Sequence, residues 1–336
     1  MRLLLDARCT RRMSRGMCAY VAQLGARLPR VAPDIALQTY TRGDNFSLTE
    51  QIELPRAAAA HDLVHYPTIF APLFRRRPYV LTIHDLIHLR YPQLFRLRTA
   101  VFYRAVVRRL ARGATRILVG DERTADDCTA FLGVEARRVR VVPLGYDPEL
   151  LEIAPAAAAR PYVLYVGNHR AHKNLPLLIE AWTGLPDGVE LDLFLTGNAD
   201  LAVPQSSARR VVFLGDLTAE DVASRIAGAA ALVHPALAEG FGLPILEALV
   251  RRTPVVASET STPRALAPFV ATFPAGDVAA LRSLLEEVAR SPQRLERLAA
   301  EGEPIARAYT WDRFAASTAS VYREAWEDCR CLDGRR

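Results

Sequence analysis

Twelve short apolar runs, spaced along the whole chain by stretches of helical character, leave little choice of fold. In the first half they fall at residues 2–5, 35–40, 63–66, 79–84, 116–120 and 139–142. In the second half they fall at 162–167, 191–197, 211–215, 231–234, 255–258 and 270–273. Near-continuous apolar runs of this length suit strands buried on both faces. Parallel neighbours need a crossover between them, which the intervening helical stretches supply. The expected fold class is α/β, with two Rossmann-like domains whose parallel sheets face across a cleft. The 336 residues, half of them hydrophobic, suffice for two such cores. The best linker is 144–160, with Gly145, Pro148, Pro155 and an alanine run. The expected division is 1–150, 151–310, and a closing amphipathic helix at 311–330.

Charge is unevenly divided. Residues 1–150 hold 24 arginines and 14 acidic residues, a net of +10, whereas 151–336 carry a net of −4. A basic half suits an anionic partner, but no nucleic-acid motif accompanies it, so nucleic acid is not an expected partner. The N-terminus lacks a signal-peptide core, and no run approaches the roughly 20 apolar residues that span a bilayer. The expected location is cytoplasmic. Five scattered cysteines, at 9, 18, 128, 329 and 331, read as reduced and structurally incidental.

Open parallel sheets bind ligands beyond the carboxyl ends of their strands. The most specific segment lies at such a place. It runs from the apolar run ending at His234 through Glu239-Gly240-Phe241-Gly242-Leu243-Pro244 to Glu247. Pro244 suits the first turn of a helix. The backbone N–H groups of Gly240, Phe241 and Gly242 would then point out of a helix N-terminus, a geometry suited to phosphate or a sugar hydroxyl. Glu239 and Glu247 can border the same ligand. A second segment, Gly167-Asn168-His169-Arg170-Ala171-His172-Lys173-Asn174, ends another run. Lys173 is the single lysine against 42 arginines, which points to a compact point charge at that position. A third segment, Thr82-Ile83-His84-Asp85, delivers a histidine to a strand end, where Asp85 could fix its tautomer or cap a turn.

With its Glu239-x7-Glu247 pair around a Gly-Phe-Gly-Leu-Pro core, the chain resembles glycosyltransferase family 4 of the GT-B fold, a group with many mannosyltransferase-like bacterial members. The resemblance is strongest over 160–260. It implies that Glu239 contacts donor-sugar hydroxyls, that Glu247 binds the nucleotide ribose, and that the amides of Gly240, Phe241, Gly242 and Leu243 hold sugar and phosphate oxygens. It implies that Arg170 and Lys173 neutralise the nucleotide diphosphate and that His84 is the active-site histidine of the first domain. Gly16 would approach the donor phosphate, although the second glycine usual in that loop is absent. The turn at Gly215 and Asp216 would meet the nucleotide base, largely through backbone. Arg264 stands where many relatives have Glu.

The implied activity is a retaining, metal-independent transfer of a hexose of the mannose or glucose type. The donor would be a GDP- or UDP-linked sugar and the acceptor a glycan or lipid-linked glycan, with no further cofactor. The first domain would bind acceptor and the second the nucleotide sugar, with the last helix crossing back to the first. A nucleotide-sugar epimerase of the same fold and a catalytically silent nucleotide-binding subunit remain as alternatives. Residues 93–112, rich in Phe, Leu and Arg, read as a helix. Its preferred reading is core packing with a solvated basic side. The other is that, with Arg75-Arg76-Arg77, it rests on an anionic membrane at the inner face, as for a lipid-linked acceptor.

Overall fold

The computed structural model describes residues 1–9, 13–75, 78–203 and 209–333. The chain separates into two compact units, Met1–Gly145 with Thr310–Arg336, and Tyr146–Tyr309.

In the first unit the strands are β1 (Arg2–Asp6), β2 (Ala36–Tyr40), β3 (Leu63–Tyr66), β4 (Tyr79–Thr82), β5 (Arg116–Val119) and β6 (Val139–Val141). They form one sheet in the order β2-β1-β3-β4-β5-β6, with every pairing parallel. Its helices are α1 (Arg15–Val31), α2 (Leu48–Ala58), α3 (Ile87–Arg90), α4 (Leu97–Phe102), α5 (Arg108–Gly113) and α6 (Glu122–Leu132). Inner strands β3 and β4 are buried at every residue, whereas edge strands β2 and β6 are partly exposed. That contrast is why the central runs read as continuous apolar sequence.

The second unit contains β7 (Tyr162–Tyr165), β8 (Asp192–Leu195), β9 (Val211–Phe213), β10 (Ala231–His234), β11 (Val255–Ser258) and β12 (Ala271–Phe273). Their order is β12-β11-β10-β7-β8-β9, again all parallel. The helices are α7 (Leu175–Thr183), α8 (Ala219–Gly228), α9 (Leu243–Leu249), α10 (Val278–Arg290) and α11 (Gln293–Arg307). Counted from β7, this is the 3-2-1-4-5-6 order of a Rossmann sheet, with its switch point between β7 and β10. The fold class is therefore α/β with two Rossmann-like parallel sheets, typical of the GT-B fold.

The last helix, α12 (Trp311–Asp333), packs on α1 within the first unit. Gly145 has to be glycine, because a Cβ there would lie 2.2 Å from the Trp311 backbone nitrogen. One residue on, the Tyr146 N–H donates to the Tyr309 carbonyl at 3.0 Å.

Two sequence expectations need correction. Residues 93–112 are not one helix: a 3-10 turn (Pro92–Leu94) precedes α4, and a π-helical turn (Tyr103–Val107) separates α4 from α5. Proline at 92 starts a turn more readily than it continues a helix. The cysteines are not all incidental either. Cys9, just past β1, and Cys18, in the first turns of α1, form a disulfide with Cα atoms 5.5 Å apart. The fold sets the end of β1 beside the first turns of α1, a proximity their spacing alone does not reveal. Cys128, Cys329 and Cys331 take part in no disulfide among the described residues. Of the arginine triplet, Arg76 and Arg77 lie outside the described residues.

Candidate functional site

The site of the second unit is built on the two strands that flank its switch point. Strand β7 ends at Tyr165, and a 3-10 turn (Ala171–Lys173) then leads to Asn174, whose left-handed backbone (φ 55°) starts α7. Strand β10 ends at His234, and Gly242, also left-handed (φ 74°), starts α9. At Gly242 a Cβ would be strained by that φ and would meet Ile245 Cδ1 at 3.3 Å, so glycine is required. The two loops are tied by the Leu237 N–H, which donates to the His172 carbonyl at 2.8 Å.

Lys173 and Glu239 meet across these loops as a hydrogen-bonded ion pair between Nζ and Oε1. Their side chains are 11% and 16% exposed, so the pair is shielded yet reachable. The same Glu239 oxygen lies 3.1 Å from Nε2 of His234. Burial holds the imidazole of His234 well below its ordinary pKa, and the neighbouring Lys173 and His172 act in the same direction. A neutral ring with Nε2 beside a carboxylate carries its proton there, so His234 donates to Glu239. Its Nδ1 is buried with no hydrogen-bond partner among the described residues. Beneath this, Ser258 Oγ bonds the Ala236 carbonyl, and Ser261 Oγ lies 2.9 Å from Ser258 Oγ and 3.4 Å from the His234 carbonyl. Sequence reasoning assigned no role to His234, Ser258 or Ser261. The signal for His234 was its place as the last residue of a strand opening the most specific motif.

Glu247, half-buried on α9, has its carboxyl pushed up to about 7 by burial, with Arg251 opposing the rise. It shares α9 with Leu243, while Gly240 and Phe241 precede the helix. The buried Phe241 ring faces Tyr309, centroids 6.2 Å apart. Arg170 is exposed at the start of the 3-10 turn. Gly215 (φ 67°) has both backbone groups engaged with Gly197, at 2.8 and 3.0 Å, so its own amide is committed to the fold. Asp216 beside it is exposed, as is Arg264. His169 bridges to the turn after β8, its Nε2 lying 2.7 Å from the Thr196 carbonyl and its Nδ1 bonded to Asp200.

In the first unit, half-buried His84 lies just beyond β4, its Nε2 2.9 Å from the Pro67 carbonyl. That carbonyl only accepts, so Nε2 carries the proton. Burial holds the ring below its ordinary pKa, leaving Nδ1 as an acceptor. Tyr20 packs edge-on against His84, centroids 5.1 Å apart. Asp85 caps the next turn, accepting from the Ile87 N–H at 3.2 Å, and is not the partner of Nε2. Gly16 lies in the first turn of α1 rather than in an open loop, and a Cβ there would have room. Among the described residues, no group of three or more His, Cys, Asp or Glu side chains could hold a metal ion.

Two family models divide the chain as its sheets do. Residues 18–150 match the model described as Glycosyltransferase Family 4, and residues 160–291 match Glycosyl transferases group 1. The chain belongs to the GT-B glycosyltransferase superfamily. This GT-B chain is 29% identical over 238 residues to MMP alpha-(1->4)-mannosyltransferase of Mycolicibacterium hassiacum, covering 65% of the chain and 56% of the relative. It is 24% identical over 282 residues to O-antigen chain mannosyltransferase B of Escherichia coli, covering 78% and 74%. The chain spans about half the length of several curated relatives it matches. Among solved structures, sucrose-phosphate synthase of Thermosynechococcus elongatus superposes with a TM-score of 0.78 at 20% identity, covering 98% of this chain and 100% of that one. Anabaena HepE in complex with UDP and glucose gives 0.72 at 16% identity, covering 96% and 100%. At these identities the likeness is one of fold.

Proposed function

We propose that the chain is a retaining glycosyltransferase. It would move a hexose of the mannose or glucose type from a GDP- or UDP-linked donor to a hydroxyl of a glycan or lipid-linked glycan, without a metal. The observation that carries this reading is the shielded Lys173–Glu239 pair at the switch point of the second sheet, with His234 donating to the same carboxylate. A carboxylate there can accept from sugar hydroxyls while the ammonium beside it meets the diphosphate. Arg170 adds a second cation on the same turn. As the bond from the anomeric carbon to the phosphate oxygen breaks, that oxygen gains charge, and fixed cations stabilise it most at that moment. The acceptor oxygen bonds the anomeric carbon on the same face, and its proton passes to the departing phosphate oxygen. No protein base is needed for that step. Glu247 binds the ribose hydroxyls, the amides of 240–243 hold sugar and phosphate oxygens, and His84 of the first unit serves the sugar or acceptor through Nδ1. The similarity to two mannosyltransferases, of Mycolicibacterium hassiacum and Escherichia coli, supports a hexose donor.

The test is a panel of nucleoside diphosphate sugars. A true donor at 100-fold above its dissociation constant adds about 2.7 kcal/mol of stability, read as a thermal shift. With a competent acceptor, nucleoside diphosphate is released and the product's anomeric proton coupling matches the donor's. Inversion of that coupling overturns retention. Tight nucleotide binding without turnover assigns the silent subunit, and an epimerised donor assigns the epimerase.

A further inference from the structure

Cys9 and Cys18 form the one disulfide among the described residues, at the edge of the first sheet where open parallel sheets take their ligands. Cys9 lies just past the end of β1 and is exposed, so a reductant can reach it. Cys18 is half-buried at the start of α1. The other three thiols are placed away from the pair. Cys128 is buried, and burial pushes its thiol up to about 12. Cys329 lies by Thr115 at the amino end of β5, the opposite edge of the sheet, with Cys331 beyond it on α12.

Two features set this bridge apart from one that only braces a fold. Side chains on a helix tilt toward its N-terminus, so the Cys18 sulfur lies where the helix dipole favours negative charge. Attack on the Cys9 sulfur expels Cys18 as a thiolate, and a leaving thiolate favoured in this way departs faster. The other feature is what the bridge holds. The first turn of α1 has no acidic side chain to meet its dipole and contains Gly16, a weak helix former. A Cβ at Gly16 would have room, so packing does not demand glycine there. Ser14 Oγ caps the turn, accepting from the Met17 N–H at 3.3 Å, and the tie to Cys9 adds a covalent anchor. Two residues beyond Cys18, the buried Tyr20 packs on His84, ring centroids 5.1 Å apart, and its hydroxyl lies 2.9 Å from that of Thr82.

We infer that Cys9 and Cys18 are a reversible thiol–disulfide site, reduced by a dithiol, whose state fixes or frees the start of α1 beside Tyr20 and His84. One thiolate of the dithiol attacks the Cys9 sulfur, the Cys9–Cys18 bond breaks, and a mixed disulfide forms. The second thiolate then attacks the dithiol's own bridged sulfur and releases Cys9. Two electrons and two protons pass to the two cysteines, and the dithiol leaves as its cyclic disulfide. The bridged form holds the first turn of α1, and the reduced form lets it fray. The inference stands on the first unit alone and is independent of the sugar-transfer reading.

The test equilibrates the full chain in mixtures of reduced and oxidised dithiothreitol, in the absence of any nucleotide sugar. Thiol alkylation read by mass spectrometry follows the bridge. The expected result is complete and reversible interconversion while the chain stays folded. On reduction, hydrogen exchange at 17–22 should quicken roughly tenfold, with exchange in α7 and α9 unchanged. In a chain with histidines labelled at Cε1, the His84 resonance, assigned by its loss in His84→Gln, should shift between the two states. The resonances of His169 and His172 should stay. Cys9→Ser should match the reduced chain in both mixtures, and should that variant fail to fold, the reduced parent supplies the same comparison. A bridge that dithiothreitol opens only as the whole chain unfolds is a structural brace and overturns the inference. So would a chain that never forms the bridge, unaltered exchange at 17–22, or a His84 resonance that stays in place.

Discussion

The hydroxyl of Tyr322 on α12 lies 2.6 Å from Nδ1 of His65 on β3, an inner strand of the first sheet. On the other side of the ring, Nε2 is 2.8 Å from the Thr82 hydroxyl on β4, which is 2.9 Å from the hydroxyl of Tyr20 on α1. All four side chains are buried. Burial holds the His65 ring down to about 3, so it is neutral and carries one proton. One neighbour therefore donates to the ring and the other accepts from it, and the network is satisfied only with the last helix in place. Tyr20 in turn packs on His84, which connects the docking of α12 to the candidate histidine of this unit.

Removing the Tyr322 hydroxyl would leave a buried ring nitrogen without a partner. Tyr322→Phe should cost about 1–3 kcal/mol. Differential scanning calorimetry will register this as a lower melting temperature. A variant as stable as the parent would show that the bond contributes nothing net.

Acid should destabilise the chain from about pH 6.5 downward. His65, His84 and His234 all have folded-state pKa values below the ordinary 6.5 because of burial. The unfolded chain then binds more protons than the folded one, so stability is fully present above about 6.5 and is lost as pH falls towards each folded pKa. Glu247 acts in the opposite sense between 4.5 and about 7, where its folded state holds the extra proton. Burial raises the Asp127 carboxyl too, in the same sense as Glu247, and three histidines against two carboxyls leave a net loss on acidification. Melting temperatures taken across that range, for the parent and for His65→Gln, will measure the slope. The variant should show a shallower one.

Lys173 and Glu239 should be the most sensitive positions for turnover. Lys173→Ala and Glu239→Ala are each expected to lower kcat about 100-fold or more, the usual loss for one preorganised charge-stabilising group. Lys173→Arg keeps the charge but replaces a compact ammonium with a wider fork in a shielded position, so it should restore only part of the loss. Initial rates at saturating donor decide the matter, and full activity in either alanine variant would remove this pair from the site.

His234 is expected to act through Glu239 as a positioning residue. His234→Leu removes the donor and should lower kcat roughly tenfold, with a smaller change in KM. His234→Gln can place an N–H near the same carboxylate oxygen and should recover most of the rate. If Gln and Leu are equally impaired, the ring is packing rather than positioning.

Nucleotide binding should strengthen as pH rises through about 7 and level off above it. Ribose hydroxyls donate to a carboxylate, and Glu247 is held partly protonated near neutrality by its burial. Binding at pH 6.5 should then release a proton. Calorimetry in two buffers of different ionisation enthalpy counts that proton, and Glu247→Gln should abolish both the release and the pH dependence.

The strands were legible because inner strands buried on both faces leave a continuous apolar record. Residues 63–66, 231–234 and 255–258 match β3, β10 and β11 to the residue. Other runs extend past their strands. The run at 79–84 contains β4, which stops at Thr82, because His84 has already turned to bond Pro67. The 239–247 motif was legible since its glycine and proline positions are dictated locally by backbone. What sequence could not show are contacts set by the sheet order. His234 and Lys173 are distant along the chain and meet at Glu239 only because β7 and β10 are neighbours. The Cys9–Cys18 bridge depends likewise on the fold setting the end of β1 beside the start of α1.

One lysine among 336 residues has a practical consequence. Reductive methylation of this chain with isotopically labelled formaldehyde would mark the Nζ of Lys173 as its single side-chain amine, beside the chain's α-amino group. Two carbon resonances would result, one of them a direct reporter of the ion pair with Glu239. Its chemical shift would follow the breaking or sharing of that pair as ligand arrives, with neither mutation nor an attached dye.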